Sequence, residues 1–377
     1  MKINEIRLYH LSAHLAEPIG NAKVFFDRRE TLLVEVVAGS DSGWGETWAL
    51  PTAAASLIEV NLAPHVLGQD AQHYRRIWQD MCRAFETRSG VATMAIAALD
   101  MAIHDLAAKQ QGVPLHVLLG GARRDRVPTY ASGPFFKPGG HPYRDFERDV
   151  ESYLADGFKS IKLRSGYRPA DDASAALTVR KMIGGDGDLM IDFNQSITVR
   201  NAISTFELLA DAQPLWIEEP TAPVDLAGYK QAAAHIKCAI AGGETFASAR
   251  DFLPFLNEGV MDVLQPDIAI CGGFSGVEQV AVQADIFGRP LIPHVWGSIV
   301  NFQAALHLTA TLPAYRGGRT AFPFMEYDVG PNPLLDLVGR PCVGADGTLP
   351  VPSTPGLGID ISQDLIAPYI VRSCQVA

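Results

Sequence analysis

From residue 127 onward the chain repeats one theme: a short apolar run, a polar residue at its end, then enough chain for a loop and a helix. The runs are VPTYASG, SIKLRSG, DLMIDFN, LWIEEP, CAIAGGE, MDVLQPD, PLIPHVW and FPFMEY, starting near residues 127, 160, 188, 215, 238, 261, 290 and 322. Eight strand–loop–helix units in roughly two hundred residues predict a closed parallel (β/α) barrel. An open doubly wound sheet would show a glycine-rich turn after its first strand, and YASGPFFKPGG contains no GxGxxG.

Residues 1–125 have a different texture. INEIRLYHL and ETLLVEVVAG read as strands, GSDSGWGE as a turn, and VATMAIAALDMAIHDLAAKQQG as a helix. In that helix Ala95, Ala98, Met101, Ala102 and Leu106 recur at helical spacing, and Gly112 with Pro114 ends it. The expected division is an α+β block over 1–125, the barrel over 126–335, and a Pro/Gly-punctuated tail over 336–377 that packs back onto the first block.

With 377 residues, 47% of them hydrophobic, the chain can bury a large core. Its net charge of −11 argues against a nucleic-acid surface and means that an anionic substrate needs local positive charge to enter. Cys82, Cys238, Cys271, Cys342 and Cys374 are scattered without CxxC spacing, as expected of reduced thiols in a cytoplasmic protein. MKINEIRLYH has no apolar core of a signal peptide, and no run of eighteen apolar residues predicts a membrane span.

SIKLRSG poses the functional question. Lys162 and Arg164 are two residues apart on a predicted strand, so both point to one face, while Ile161 and Leu163 pack under helices on the other. The neighbouring runs supply opposite charge at their C-terminal ends, where barrel enzymes keep their chemistry. Asp192 and Asn194 end one, Glu218 and Glu219 the next, and Glu244 the third. Asp192, Glu218 and Glu244 are spaced 26 and 26 residues apart, one per consecutive strand. A lone strand-end acid is more often a helix cap or a solvated residue. Three in register repel each other unless neutralised, and an all-oxygen trio suits a hard cation such as Mg²⁺.

The next run ends in Asp267 and the one after it in His294, 27 residues on. An aspartate bonded to one ring nitrogen fixes the tautomer and raises the basicity of the other. Glu326 on the eighth run is an acid, a hydrogen-bond donor or a salt-bridge partner at the rim. In an eight-stranded ring, Lys162 and Arg164 face Asp267 and His294 across the mouth, over a metal. That arrangement suits removal of a proton from the carbon next to a carboxylate, where fixed positive charge must stabilise the anion as it forms. A catalytically silent barrel binding a metal and a carboxylate is the alternative of another class. A hydrolase using Glu218 with Glu219 is disfavoured, because adjacent strand residues point to opposite faces.

KLR, MIDFNQS, WIEEPTAP, AGGETF, VLQPD, PHVWG and FMEYD, together with SGWGE and GVPLHVLLGG, resemble the mandelate racemase subgroup of the enolase superfamily along essentially the whole chain. GGETF, VLQPDIAICGGFSG, PHVWG and PGLGI are most similar to its acid-sugar enzymes. The resemblance implies an N-terminal α+β capping domain over a (β/α)7β TIM-like barrel. It implies Asp192, Glu218 and Glu244 as Mg²⁺ ligands, His294 with Asp267 as base, and Glu326 as a hydrogen-bond donor to the enediolate. Lys162 matches the first lysine of the family's KxK motif, which neutralises the substrate carboxylate. Arg164 departs from the second lysine, the base on the opposite face, and arginine stays protonated. One-base chemistry is therefore expected: His294 takes the α-proton and a β-substituent leaves, giving an acid-sugar dehydratase or a sugar-lactone cycloisomerase, with racemisation or epimerisation as the alternative. Asn194 at the rim, Arg28 and Arg29 beside Phe26, and Trp48 are the candidate substrate contacts. The family is commonly oligomeric, so a homo-oligomer is expected.

Overall fold

The computed structural model describes residues 1–85, 89–317 and 320–377. Strands β1 (Glu5–Gly20), β2 (Phe25–Ala38) and β3 (Asp41–Thr47) form an antiparallel meander, and β14 (Ile370–Val376) adds to the outer edge of β1. Period-two alternation splits β2 between two cores. Leu32, Val34, Val36 and Ala38 join the capping-domain helices, while Leu33 joins the cluster shared with the barrel. The helix Gly90–Gln111 lies against this sheet and is capped by Gly112 at φ 68°. It is long and apolar enough to cross a membrane by length and composition, but 83% of its apolar window is buried inside the protein, so it is a core helix.

SGWGE is not the expected turn. It is the strand β3, and only Gly39–Ser40 turn. Its glycines answer a packing demand: a Cβ at Gly43 would lie 2.2 Å from the Ala102 carbonyl, and one at Gly45 2.0 Å from the Ala98 carbonyl. Strand and helix backbones touch there, and only glycine fits.

The barrel runs through β4 (Arg126–Ser132), β5 (Ile161–Arg164), β6 (Leu189–Asp192), β7 (Trp216–Glu218), β8 (Ala239–Gly242) and β9 (Val263–Leu264), all parallel. A short hairpin, β10 (Tyr315–Gly317) and β11 (Thr320–Phe322), precedes β12 (Met325–Asp328), which pairs with β4 from the other side. The seventh stave departs from expectation. PLIPHVW is no regular strand: Leu291 and His294 make single parallel bridges, to Leu264 and Asp267. Pro290 and Pro293 have no N–H for a ladder, so pairing rests on bonds such as Ile292 N to Leu264 O at 2.9 Å. After the barrel, β13 (Thr348–Pro350) pairs antiparallel with β4 before the chain returns to β14.

Tyr130, Met190, Trp216, Val263, Ile292 and Phe324 cluster together inside the barrel. Two residues further along the same staves stand Ser132, Asp192, Glu218, Gln265, His294 and Glu326, all buried. The two-residue repeat thus stacks a polar layer on an apolar plug, with the polar layer at the C-terminal mouth.

Candidate functional site

Lys162 is the hub of the polar layer. Fully buried on β5, its ammonium lies 2.6 Å from Glu218 Oε1 on β7, 2.7 Å from Glu326 Oε1 on β12 and 3.6 Å from Asp192 Oδ2 on β6. In the strand order β12-β4-β5-β6-β7 the hub therefore reaches two staves in each direction. Burial, the largest influence on Lys162, favours the neutral amine, yet the carboxylates of Glu218 and Glu326 hold its pKa well above the usual lysine value. Arg164, on the same face, donates to Asp192 and, at 3.0 Å, to Ser132 Oγ. Here too burial works against the charge and is outweighed, chiefly by Asp192, so the guanidinium stays charged.

The three predicted acids come from consecutive staves as expected, with different company. Asp192 is held by Arg164 and by Asn194, whose backbone N–H and side-chain amide donate at 2.8 and 2.9 Å. Glu218 accepts from Trp216 Nε1 at 2.9 Å and Gln265 Nε2 at 2.8 Å besides Lys162. Burial, partly offset by Lys162, pushes it up to about 7. Glu244 is the open member: its Oε2 is buried with no hydrogen-bond partner, His294 Nε2 stands 3.5 Å away, and burial raises its pKa. Among the described residues, no three His, Cys, Asp or Glu side chains close into a ready-made ion site. Lys162 and Arg164 supply the neutralising charge instead.

His294 and Asp267 form the expected pair. His294 Nδ1 lies 2.7 Å from Asp267 Oδ2, leaving Nε2 toward Glu244. Asp267 is saturated by further donors: Ala269 N at 2.7 Å, Asn301 Nδ2 at 3.1 Å and Trp48 Nε1 at 2.8 Å. Burial works to lower the pKa of His294, but Glu244 and Glu326, together with Asp267, bring it up to about 10. For Glu326 burial works upward and is outweighed, first by Lys162 and then by His294, bringing it down to about 2. It accepts from Ser132 Oγ at 2.7 Å and Val295 N at 3.0 Å. In this arrangement it is an ion-paired carboxylate, the salt-bridge partner that the sequence also allowed.

The capping-domain candidates each find a partner within the protein. Arg28 is exposed and paired with its neighbour Asp27 at 3.0 Å. Arg29 is buried, 3.0 Å from Asp328, with its guanidinium 3.9 Å from the Trp296 ring centre; it joins the first layer to the eighth stave, while its buried Nη1 has no hydrogen-bond partner. Trp48 turns its N–H to Asp267.

Gln195 and Lys23 at the rim escaped the sequence reading, and Glu219 stands elsewhere than it placed it. Glu219 was expected on the opposite face from Glu218, but the chain leaves β7 with Glu219 at φ 47°, a left-handed turn that breaks strand alternation. Its buried carboxyl rises well above the ordinary range, through burial and then the charges of Glu244 and Asp192. Asn194 and Gln195 are left-handed too, at φ 46° and 58°. Such strain, about 1–3 kcal/mol per residue, persists where bonds hold it. Gln195 Nε2 donates to Glu219 Oε1 at 2.6 Å, and Lys23 Nζ, from the β1–β2 hairpin tip, donates to Gln195 Oε1 at 3.1 Å. No spacing rule could have found these contacts, because they join distant segments.

Two family descriptions match the chain: "Mandelate racemase / muconate lactonizing enzyme, N-terminal domain" over residues 4–120 and "Enolase C-terminal domain-like" over residues 145–365. D-galactarolactone cycloisomerase of Agrobacterium fabrum is 33% identical over 374 residues, covering 98% of this chain and 99% of that protein. The crystal structure of 3,6-anhydro-D-galactonate cycloisomerase from Zobellia galactanivorans superposes with a TM-score of 0.88 at 31% identity, covering 99% of this chain and 100% of that one. L-talarate/galactarate dehydratase from Salmonella typhimurium, liganded with Mg and L-lyxarohydroxamate, gives 0.86 at 26% identity, covering 100% and 94%.

Proposed function

The chain belongs to the mandelate racemase/muconate lactonizing enzyme family of the enolase superfamily, and from that premise we propose that it eliminates a β-substituent from an acid sugar or its lactone after His294 removes the α-proton. Dehydration and lactone cycloisomerisation are the two forms of that reaction, differing in whether a hydroxyl or a ring oxygen leaves. The observation that carries the reading is the asymmetry of proton acceptors. His294 has an aspartate on Nδ1 and, on Nε2, only Glu244 at 3.5 Å, outside hydrogen-bond contact. Lys162 and Arg164, on the second stave, are each locked in the charged form by carboxylates. A racemase of this type needs a second base, and neither cation serves as one.

Asp192, Glu218 and Glu244 would hold a divalent ion. Their donor set is all oxygen, and Glu244 offers a buried oxygen without a hydrogen bond. What Mg²⁺ supplies when bound there is fixed positive charge beside the substrate carboxylate. Lys162 and Arg164 contribute their own positive charge and draw an anionic substrate into a mouth otherwise rich in acids. Asp267 keeps the His294 proton on Nδ1, so the neutral ring presents Nε2 to the substrate. Neutralising Glu244, the leading charge that holds His294 protonated, favours that neutral form.

Incubating a panel of acid sugars and their lactones in D₂O with Mg²⁺ tests the reading. The expected result is a 2-keto product or an opened lactone carrying deuterium at C3, where the enol takes its proton from solvent, and loss of that product in His294→Asn, while calorimetry shows Mg²⁺ binding retained. Exchange with inverted configuration and no elimination product would make it a racemase. Metal binding without exchange on any acid would make it a silent barrel.

A further inference from the structure

The capping domain reaches the base pair by two routes, both from the end of β3. Trp48 donates its indole N–H to Asp267 Oδ2, the oxygen that also holds His294. Two residues earlier, the fully buried Glu46 grips the first turn of the helix Ile299–Thr311. It accepts from Ser298 N at 2.9 Å, Ser298 Oγ and Asn301 N at 2.9 Å. Thr31 Oγ1, 3.0 Å away on β2, fixes the same carboxyl from its own sheet. Asn301, so held, donates through Nδ2 to Asp267 Oδ1. Two of the four groups bonded to Asp267 are thus set by the capping domain, one directly and one through Glu46.

A glycine makes the approach feasible. Gly297 has φ 98°, and a Cβ there would lie 2.2 Å from Glu46 Oε1 and 3.2 Å from Trp48 Cβ. The loop after His294 and the end of β3 are fitted to each other at that point.

We infer that Trp48 and Glu46 are positioning residues for the general base: together they fix the Asp267 carboxylate, and through it the tautomer and orientation of the His294 ring. The inference rests on His294 acting as the base. It means that the capping domain, besides covering the mouth, completes the catalytic apparatus of the barrel. A group anchored on both oxygens cannot rotate, and a ring bonded to it keeps Nε2 aimed at the substrate.

The test is Trp48→Phe, which keeps an aromatic ring and removes only the N–H donor, with Glu46→Gln as the second variant. In protein labelled with ¹⁵N-histidine, the downfield Nδ1–H resonance of His294 is assigned by its loss in His294→Asn. Trp48→Phe is expected to shift that resonance and speed its exchange with solvent by roughly tenfold. The kcat for α-proton exchange should fall by roughly tenfold or more, with KM within about twofold. Glu46→Gln moves the same observables in the same direction. An unchanged resonance with unchanged kcat in Trp48→Phe overturns the inference. So does a raised KM at constant kcat, which would make Trp48 a substrate contact. Full turnover by His294→Asn would instead defeat the base assignment, while the resonance still reports whether Trp48 orients the ring.

Discussion

Replacing Lys162 by methionine removes the cation at the centre of the polar layer while keeping most of its apolar stem. Glu218, Glu326 and Asp192 would then share one buried volume with only Arg164 and His294 to balance them. Breaking a fully buried ion pair from one side costs about 3–5 kcal/mol, because the abandoned charge stays desolvated. Glu218 already stands near 7 and can take up a proton, which keeps the cost within that range. An unfolding entropy of about 2.1 cal/mol/K per residue makes this a fall in melting temperature of roughly 4–6 °C for a chain of this length. The assay is thermal and urea unfolding of both proteins in EDTA and in millimolar MgCl₂. The variant is expected to be weaker in EDTA and to gain more from the metal than wild type, since no ammonium competes for Glu218. Ligand at a hundred times its Kd adds about 2.7 kcal/mol, enough to recover much of the loss. A variant as stable as wild type in EDTA, with Mg²⁺ moving neither protein, would refute both the neutralised acid cluster and the proposed ion site.

Two further outcomes follow from residues outside the acid cluster. Arg29→Met strands Asp328 in a buried place and should cost about 3–5 kcal/mol by urea unfolding, whereas Arg28→Ala, at an exposed pair, should leave the midpoint and KM where they were. Glu46 is pushed up to about 7, by burial against the donors of Ser298, Asn301 and Thr31. A raised carboxyl pKa means that the folded state keeps a proton the unfolded chain releases. Its contribution to stability is therefore full below about 4.5 and lost as pH rises through 7, to a total of about 3 kcal/mol. Urea midpoints of wild type and Glu46→Gln at pH 5 and pH 8 should show that difference changing with pH, and a constant difference would refute it.

The barrel was legible because its cause is local. A strand alternates every two residues, so the apolar runs and the polar residues ending them declare both the staves and the face that carries the chemistry. Asp192, Glu218, Glu244, Asp267 and His294 could be named from spacing alone, and all but the partly exposed Glu244 are buried at the mouth. For Arg164 the family resemblance, not spacing, implied the place of a second base, and an arginine there stays protonated.

What the sequence left open were questions of partnership. Arg28 and Arg29 are adjacent and alike in composition, yet one faces solvent and the other lies between Trp296 and Asp328, the latter 299 positions later. Glu219 joins the rim because a left-handed residue turns it there, and no periodicity encodes that turn. Trp48 meets Asp267 across 219 residues. Strand periodicity is set by neighbouring peptide units and is written in the chain. Which charge neutralises which, and which donor fixes the base, depends on elements brought together only when the cap closes on the barrel.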